Sequence, residues 1–408
     1  MNKKRLFIRS AVAIAVAASS TSAIAAGFQL NGQSATGLGR AFAGDAVIAD
    51  NASVMARNPA AMALFDAPEL SLGLIAIDTD VVVKDAKYGP TELPNFRSDL
   101  PEEQIGGVSY VPNIFYVHPI NDKFAVGAGI YSNFGTKTEF GDDFAANEFG
   151  GLTDLKTVNF GLSGSYRINE QWSVGAGIDL ITGSGKLKRS GLMMGDQLLN
   201  VDAEGTGFGW NTGVVYELSE KHRFGMSYRH SPDIKADGEM TYLAGRADMS
   251  GELVMRLPDI AEFSGFHQLT NQFAMHYSIQ WIEWSTFDKL ATTNGTVLNE
   301  YNWQDGWHYS IGGTYTVNSD WTVRAGYMYD TSAQDASKST SIAVPDSDRQ
   351  WLSTGLTYQA TKNSKVDVGL TYLMGEDVSV SETNGFTSVE ATTRANAWLY
   401  GVQYSYQF

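Results

Sequence analysis

The 408-residue chain contains no cysteine, which removes disulfides, thiolate metal sites and thiol nucleophiles together. Charged residues are scarce at 18%, against about 25% in soluble domains. Basic residues are the scarcer sign, 29 against 45 acidic, and the net charge of −16 excludes the basic footprint of a nucleic-acid binder. Beyond the N-terminus no stretch is both apolar and long enough for a membrane helix, which needs about 20 residues. Catalytic signatures are missing too. There is no His-Glu-x-x-His pair, and Gly161-Leu162-Ser163-Gly164-Ser165 misses the nucleophile-elbow pattern at its last position. Gly37-Leu38-Gly39-Arg40 opens no βαβ unit and is no dinucleotide fingerprint. The six histidines are scattered. No catalytic residue, metal or cofactor is expected.

What is present begins with an export signal. Lys3, Lys4, Arg5 and Arg9 precede the short apolar run Ala11 to Ala18, and Ala23-Ile24-Ala25 supplies a small-x-small cleavage site. Residues 1–25 therefore read as a secretory signal peptide rather than a transmembrane anchor.

Strand alternation is the strongest signal in the remainder. Val158, Phe160 and Leu162 share one face, with Asn159, Gly161 and Ser163 on the other. Trp172, Val174, Ala176 and Ile178 alternate with Ser173, Gly175, Gly177 and Asp179, and Val323 and Tyr327 stand opposite Arg324 and Gly326. A period of two means strands with unlike faces. The strands are long, aromatics sit at their ends, and the polar face is small and often charged. A soluble sandwich would alternate as well, but lipid outside and a polar lumen inside explain all three features. On this parity His276 and His308 face the lumen, where they are expected to be solvated rather than metal-bound.

Short polar turns recur near Asn121, Asn169, Ser219, Thr270, Asn318 and Lys362, about 50 residues apart. Six units of strand, long loop, strand and turn follow residue 121, and an irregular seventh precedes it. Seven hairpins give 14 strands, an even number as in single-chain bacterial outer-membrane barrels. Closure leaves no edge unpaired in lipid. The chain ends within an alternating aromatic strand at Phe408, which resembles the signal by which barrel assembly machinery recognises its substrates. The predicted fold is an all-β, 14-stranded antiparallel transmembrane barrel over residues 68–408, surrounded by outer-membrane lipids and lipopolysaccharide, with a monomer expected.

Two regions do not fit a plain porin. Residues 26–67 lack alternation but carry Phe28, Leu30, Leu38, Phe42 and Met55, with Asn58-Pro59-Ala60 near the end. Such content favours a hatch packed inside the lumen over a flexible tail. Two long loops, Gly183–Gly205 and Pro232–Pro258, are rich in large apolar groups, including Leu192, Met193, Leu198 and Leu199 in the first. Either the loops bury these groups against each other or they form an apolar groove for a ligand. An esterase or phospholipase would need a serine, a histidine and an orienting group converging on one patch.

Several stretches then resemble one family. They are Ala26-Gly27-Phe28-Gln29-Leu30-Asn31, Gly37-Leu38-Gly39-Arg40-Ala41, Ile48-Ala49-Asp50, Arg57-Asn58-Pro59-Ala60, Val111-Pro112-Asn113, Pro119-Ile120-Asn121-Asp122, Gly207-Phe208-Gly209-Trp210-Asn211 and Pro345-Asp346-Ser347-Asp348-Arg349. In order and spanning the mature chain, they resemble the FadL family of long-chain fatty acid transporters of Gram-negative outer membranes. The resemblance implies passive uptake: capture on the apolar loops, an internal pocket, and a sideways exit at a kink in the third strand. By position it implies that Arg189 and Asp330 line the pocket and that Ser132-Asn133-Phe134-Gly135 forms the kink, while Phe28 and the first-loop residues contact the ligand. Lumenal parity from Asp179 also points Arg189 inward, unless Gly183 and Gly185 break the register. A second basic pocket residue of the family falls near Asn299 and Glu300 here, a departure that bears on the head group. The alternatives are a carrier of other hydrophobic compounds, such as aromatic hydrocarbons, and a plain porin or phage or adhesion surface protein.

Overall fold

The computed structural model describes residues 27–191, 195–335 and 340–408; the expected signal peptide, and Leu192 and Met193, lie outside them. Fourteen strands form one antiparallel sheet: β1 Glu69–Pro90, β2 Val108–Pro119, β3 Phe124–Tyr131 resuming at Gly135–Glu139, β4 Leu152–Arg167, β5 Trp172–Gly191, β6 Gly195–Ser219 and β7 His222–His230. Then follow β8 Ile260–Gln268, β9 Phe273–Ile282, β10 Gly306–Thr316, β11 Trp321–Asp330, β12 Arg349–Gln359, β13 Ser364–Gly375 and β14 Thr387–Gln407. The first strand pairs with the last from Glu69↔Gln407 to Pro90↔Thr387, so the sheet closes.

The two faces divide as the alternation predicts. Leu162, Trp172, Val174, Ile178, Val323 and Tyr327 are exposed on the outer face, while Asn159, Ser165, Ser173 and Asp179 are buried on the inner one. Aromatic pairs cluster where the short turns lie: Trp172 with Tyr216 at 4.5 Å, Phe124 with Tyr166 at 4.8 Å and Trp321 with Tyr358 at 4.7 Å. Amphipathic rings at that level suit a membrane interface.

The N-terminal segment before β1 packs against the inner face. It holds helix α1 (Ala35–Gly39), helix α2 (Val54–Arg57) and a 3-10 turn, Pro59–Leu64. Asn58 explains the Asn-Pro-Ala motif. Its carbonyl oxygen caps the 3-10 turn by accepting from the Ala60 N–H at 3.0 Å, and its amide donates to the Ala46 and Val214 carbonyls at 2.7 and 3.1 Å. Wall glycines admit the motif: a Cβ on Gly213 would lie 2.0 Å from the Asn58 side chain, and one on Gly175 2.4 Å from the Ala60 nitrogen.

Buried ions bind this segment to itself and to the wall. Arg40 pairs with Asp45 at 2.7 Å and Asp50 at 2.9 Å. Arg57 reaches Asp45 at 3.5 Å and Glu262 of β8 at 3.7 Å, and Arg324 of β11 reaches Asp50 at 3.4 Å. Arg229 of β7 pairs with Asp179 and also donates to the Ala56 carbonyl at 2.7 Å. Removing one partner from such a buried pair costs about 3–5 kcal/mol, because the other charge is left uncompensated.

Two expectations are corrected. His276 and His308 do face inward, but they are buried, at 0% and 3% exposed, because the N-terminal segment fills the space beside them. His276 bonds Thr314 at 3.0 Å, and His308 bonds Asn31 at 3.2 Å. The two apolar stretches are not irregular loops. They are hairpin extensions of the barrel: β5 and β6 stay paired out to Arg189↔Leu199, and Asp233–Tyr242 pairs both with β6 and with the strand Leu253–Arg256. Their apolar residues alternate, so pairing turns one whole side inward.

Candidate ligand pocket and wall opening

The inward sides of these hairpins meet over the N-terminal segment and form the largest apolar cluster among the described residues. Leu187, Leu199, Val201, Ile234, Leu253 and Met255 join Phe28, Phe134, Trp284, Phe287, Tyr301 and Trp303. Phe28 lies at the centre of the aromatic part. Its ring is 4.6 Å from Trp284, 5.3 Å from Phe287 and 6.2 Å from Phe134, each edge-on. Edge-to-face contacts add about 0.5–1.5 kcal/mol each beyond burial. Of the predicted contact residues, Phe28 and Leu199 belong to this cluster, and Leu198 is half-buried beside it in sequence.

Arg189 continues the inward parity of Asp179, Ile181 and Leu187, and the β4–β5 register runs unbroken past Gly183 and Gly185. Its guanidinium donates to the Leu152 carbonyl at 2.6 Å, the Lys188 carbonyl at 2.9 Å and the Thr153 hydroxyl at 2.8 Å. Burial lowers its pKa from the ordinary value, opposed by the nearby Tyr301 phenol and Glu382 carboxyl. Glu382 lies in the outer strand Val378–Thr383 and accepts from the Ile342 N–H at 2.5 Å. Burial pushes its carboxyl up to about 7 despite that bond and despite Arg189.

Tyr301 and Glu382 were not singled out from the sequence, since each comes from a different outer segment and neither carries a motif. Asn299 and Glu300 are exposed, whereas their neighbour Tyr301 turns into the cluster. Asp330 is fully buried but belongs to another group. It lies 3.2 Å from His308 and 4.0 Å from Arg349, which also pairs with Asp346. The motif Pro345-Asp346-Ser347-Asp348-Arg349 thus anchors a loop inside the barrel, with Asp346 accepting from the Ala333 N–H at 2.7 Å.

The wall is interrupted where Ser132-Asn133-Phe134-Gly135 breaks β3. The ladder between β2 and β3 runs only from Ile114↔Ile130 to Pro119↔Ala125, and beyond the break Gly135–Glu139 pairs with β4. Backbone groups freed by the break cannot stay unpaired at membrane depth. The start of the N-terminal segment takes them. Leu30 N–H donates to the Asn133 carbonyl at 2.6 Å, Gly135 N–H donates to the Phe28 carbonyl at 2.8 Å, and Gln29 bridges Phe134. Gln33 adds side-chain bonds to the Ser132 carbonyl at 3.1 Å and to Asn133 at 2.9 Å. These few residues therefore both close the break and carry Phe28 into the apolar cluster.

Comparison with known proteins gives consistent relatives. The family described as outer membrane protein transport protein (OMPP1/FadL/TodX) matches residues 16–408. A long-chain fatty acid transport protein of Escherichia coli O6:H1 is 36% identical over all of both chains. Outer membrane protein P1 of Haemophilus influenzae is 34% identical, covering 98% of this chain and 99% of its own. Among solved structures, a Pseudomonas aeruginosa FadL homologue superposes with a TM-score of 0.80 at 22% identity, covering 94% of this chain and all of its own. The toluene transporter TodX of P. putida gives 0.67 at 19%, covering 92% and 98%.

Proposed function

Because the chain belongs to the OMPP1/FadL/TodX family of Gram-negative outer-membrane transport proteins, we propose that it takes up long-chain fatty acids passively and releases them sideways through the break in β3. The observation that carries this reading is the double duty of residues 28–30. They pair with the break through backbone bonds, and they place Phe28 among Trp284, Phe287 and Phe134. A ligand that enters the cluster competes with Phe28 for the same apolar surface.

In this reading the acyl tail is captured by the inward sides of the two hairpins, where each buried CH₂ contributes about 0.8 kcal/mol. Arg189 receives the carboxylate. A guanidinium stays charged at any working pH and grips a carboxylate through two parallel N–H bonds. Its present acceptors are two carbonyls and a hydroxyl, weaker partners than a carboxylate. Displacing Phe28 withdraws residues 28–30 from Asn133 and Gly135, and the break opens towards lipid. Asp330, tied to His308 and Arg349, holds the inner framework rather than the head group. Residues 26–67 act as the hatch and the later chain as the barrel.

The experiment measures oleate binding to the purified protein and oleate uptake by cells that depend on it. Toluene serves as the comparison, since the same apolar cluster suits an uncharged aromatic. Oleate binding that depends on Arg189 supports the reading. Toluene binding with no oleate binding assigns the protein to uncharged hydrophobic compounds instead.

A further inference from the structure

At the opposite end of the lumen, among the short turns, a cavity of about 210 Å³ separates residues 48–50 of the N-terminal segment from the barrel wall. We propose that it is an oxyanion-binding site, separate from the apolar pocket and formed chiefly by Arg223 and Arg324. The space would hold roughly seven waters at about 30 Å³ each, enough for a small carboxylate or a phosphate with part of its hydration shell.

The lining sets two cationic side chains among polar and apolar ones. Arg223, at the start of β7, and Arg324, in β11, face it together with Gln268, Gln272, Thr314 and the carboxylate of Asp50. Arg223 makes no ion pair among the described residues, and its Nε lacks a hydrogen-bond partner there. Its guanidinium instead lies over the Phe266 ring, 4.8 Å from the centroid. That contact orients the plane while leaving the edge N–H groups unused. Arg324 is only 8% exposed; its terminal nitrogens donate to Thr357 and, at 3.4 Å, to Asp50, while its Nε lacks a hydrogen-bond partner among the described residues. The one carboxylate in the lining, Asp50, is shared between Arg40 at 2.9 Å and Arg324 at 3.4 Å. The Arg223 guanidinium, with its end groups unused, and the partly engaged Arg324 therefore meet amide and hydroxyl groups in one half-open cavity, the donor set that recognises carboxylates and phosphates.

Calorimetric titration of the full chain in non-ionic detergent tests this, using sodium phosphate and sodium acetate against chloride at matched ionic strength. One saturable site for at least one of the two is expected. A preference for acetate assigns the site to carboxylates, and a preference for phosphate assigns it to phosphate groups. Arg223→Gln should weaken binding at least 10-fold, with Arg223→Lys intermediate and Lys186→Gln, an exposed surface change, unchanged. Gln272→Glu, at an exposed turn position, places a negative charge beside the cavity without touching the interior. It should weaken binding as well, which keeps the test open if Arg223→Gln fails to fold. The proposal is overturned if neither anion saturates, if Arg223→Gln and Gln272→Glu both bind as tightly as the natural protein, or if Lys186→Gln abolishes binding.

Discussion

The N-terminal segment has two parts attached to the barrel in different ways. Its body, residues 34–66, is held by buried ion pairs from Arg40, Arg57 and Arg324, by the Arg229 bond to the Ala56 carbonyl, and by the Asn58 amide seated over Gly213. Its leading limb, residues 27–30, is held by two backbone bonds to the β3 break, the Gln29 amide on Gln280 at 2.9 Å, and the packing of Phe28. The contrast concerns the kind of interaction. Ion pairs buried among glycines cannot be replaced by an apolar ligand, but an aromatic side chain in an apolar cluster can. On the proposed mechanism the limb is the moving part and the body the fixed plug.

The largest effect should come from attacking the body. Arg40→Ala leaves Asp45 and Asp50 without their main cation and should destabilise the packed segment by about 3–5 kcal/mol. The expected readout is an increased small-solute conductance in planar bilayers. An unchanged conductance would mean that the body does not block the lumen.

Next in size is the pocket. Arg189→Ala removes a charge-assisted contact of about 1.5–3 kcal/mol, so oleate binding should weaken by roughly 10-fold or more, at about 1.4 kcal/mol per decade. Conductance should not change, since Arg189 contacts β4 and its own strand rather than the body.

The smallest effect is a pH dependence. Burial raises the Glu382 carboxyl from its ordinary value of 4.5 to about 7. A raised carboxyl favours the neutral form in the folded protein, so its stabilising contribution is complete at low pH and declines as pH rises from the ordinary carboxylate range through about 7. The same titration affects the ligand. On the proposed mechanism a neutral Glu382 below about 7 leaves Arg189 to the fatty acid, and above it the carboxylate competes. Oleate affinity should fall a few-fold between about pH 6 and 8, and Glu382→Gln should flatten that profile in a binding titration.

The barrel was legible in the sequence because lipid and lumen impose unlike chemistry on alternate residues. Val174 and Ile178 could be placed outside, and Asp179 inside, from parity alone. The position of Arg189 followed from the same parity. What parity cannot supply is the content of the lumen. It put His276 and His308 inside but not in contact with Thr314 and Asn31, because those contacts depend on how a segment without periodicity folds. The hairpins were missed although Leu187, Leu199, Val201 and Ala203 alternate, since clustered Met and Leu residues drew the reading towards loops. Charged residues at inward strand positions, such as Glu262, Arg324 and Asp367, offered an unused signal. Set against Arg40, Asp50 and Arg57, they point to ion pairing across the lumen.

On the proposed mechanism the limb must leave the β3 break for transport. Gln29 and Phe134 face each other across an antiparallel bridge, and directly opposed residues place their Cβ atoms about 4.5–5.5 Å apart, near disulfide reach. The chain has no native cysteine to interfere. The most direct measurement is oleate uptake by cells carrying Gln29→Cys with Phe134→Cys, oxidised and then reduced. The oxidised protein is expected to bind oleate without transporting it, and reductant to restore uptake. Uptake by the fully cross-linked protein at the rate of its reduced form would contradict that mechanism.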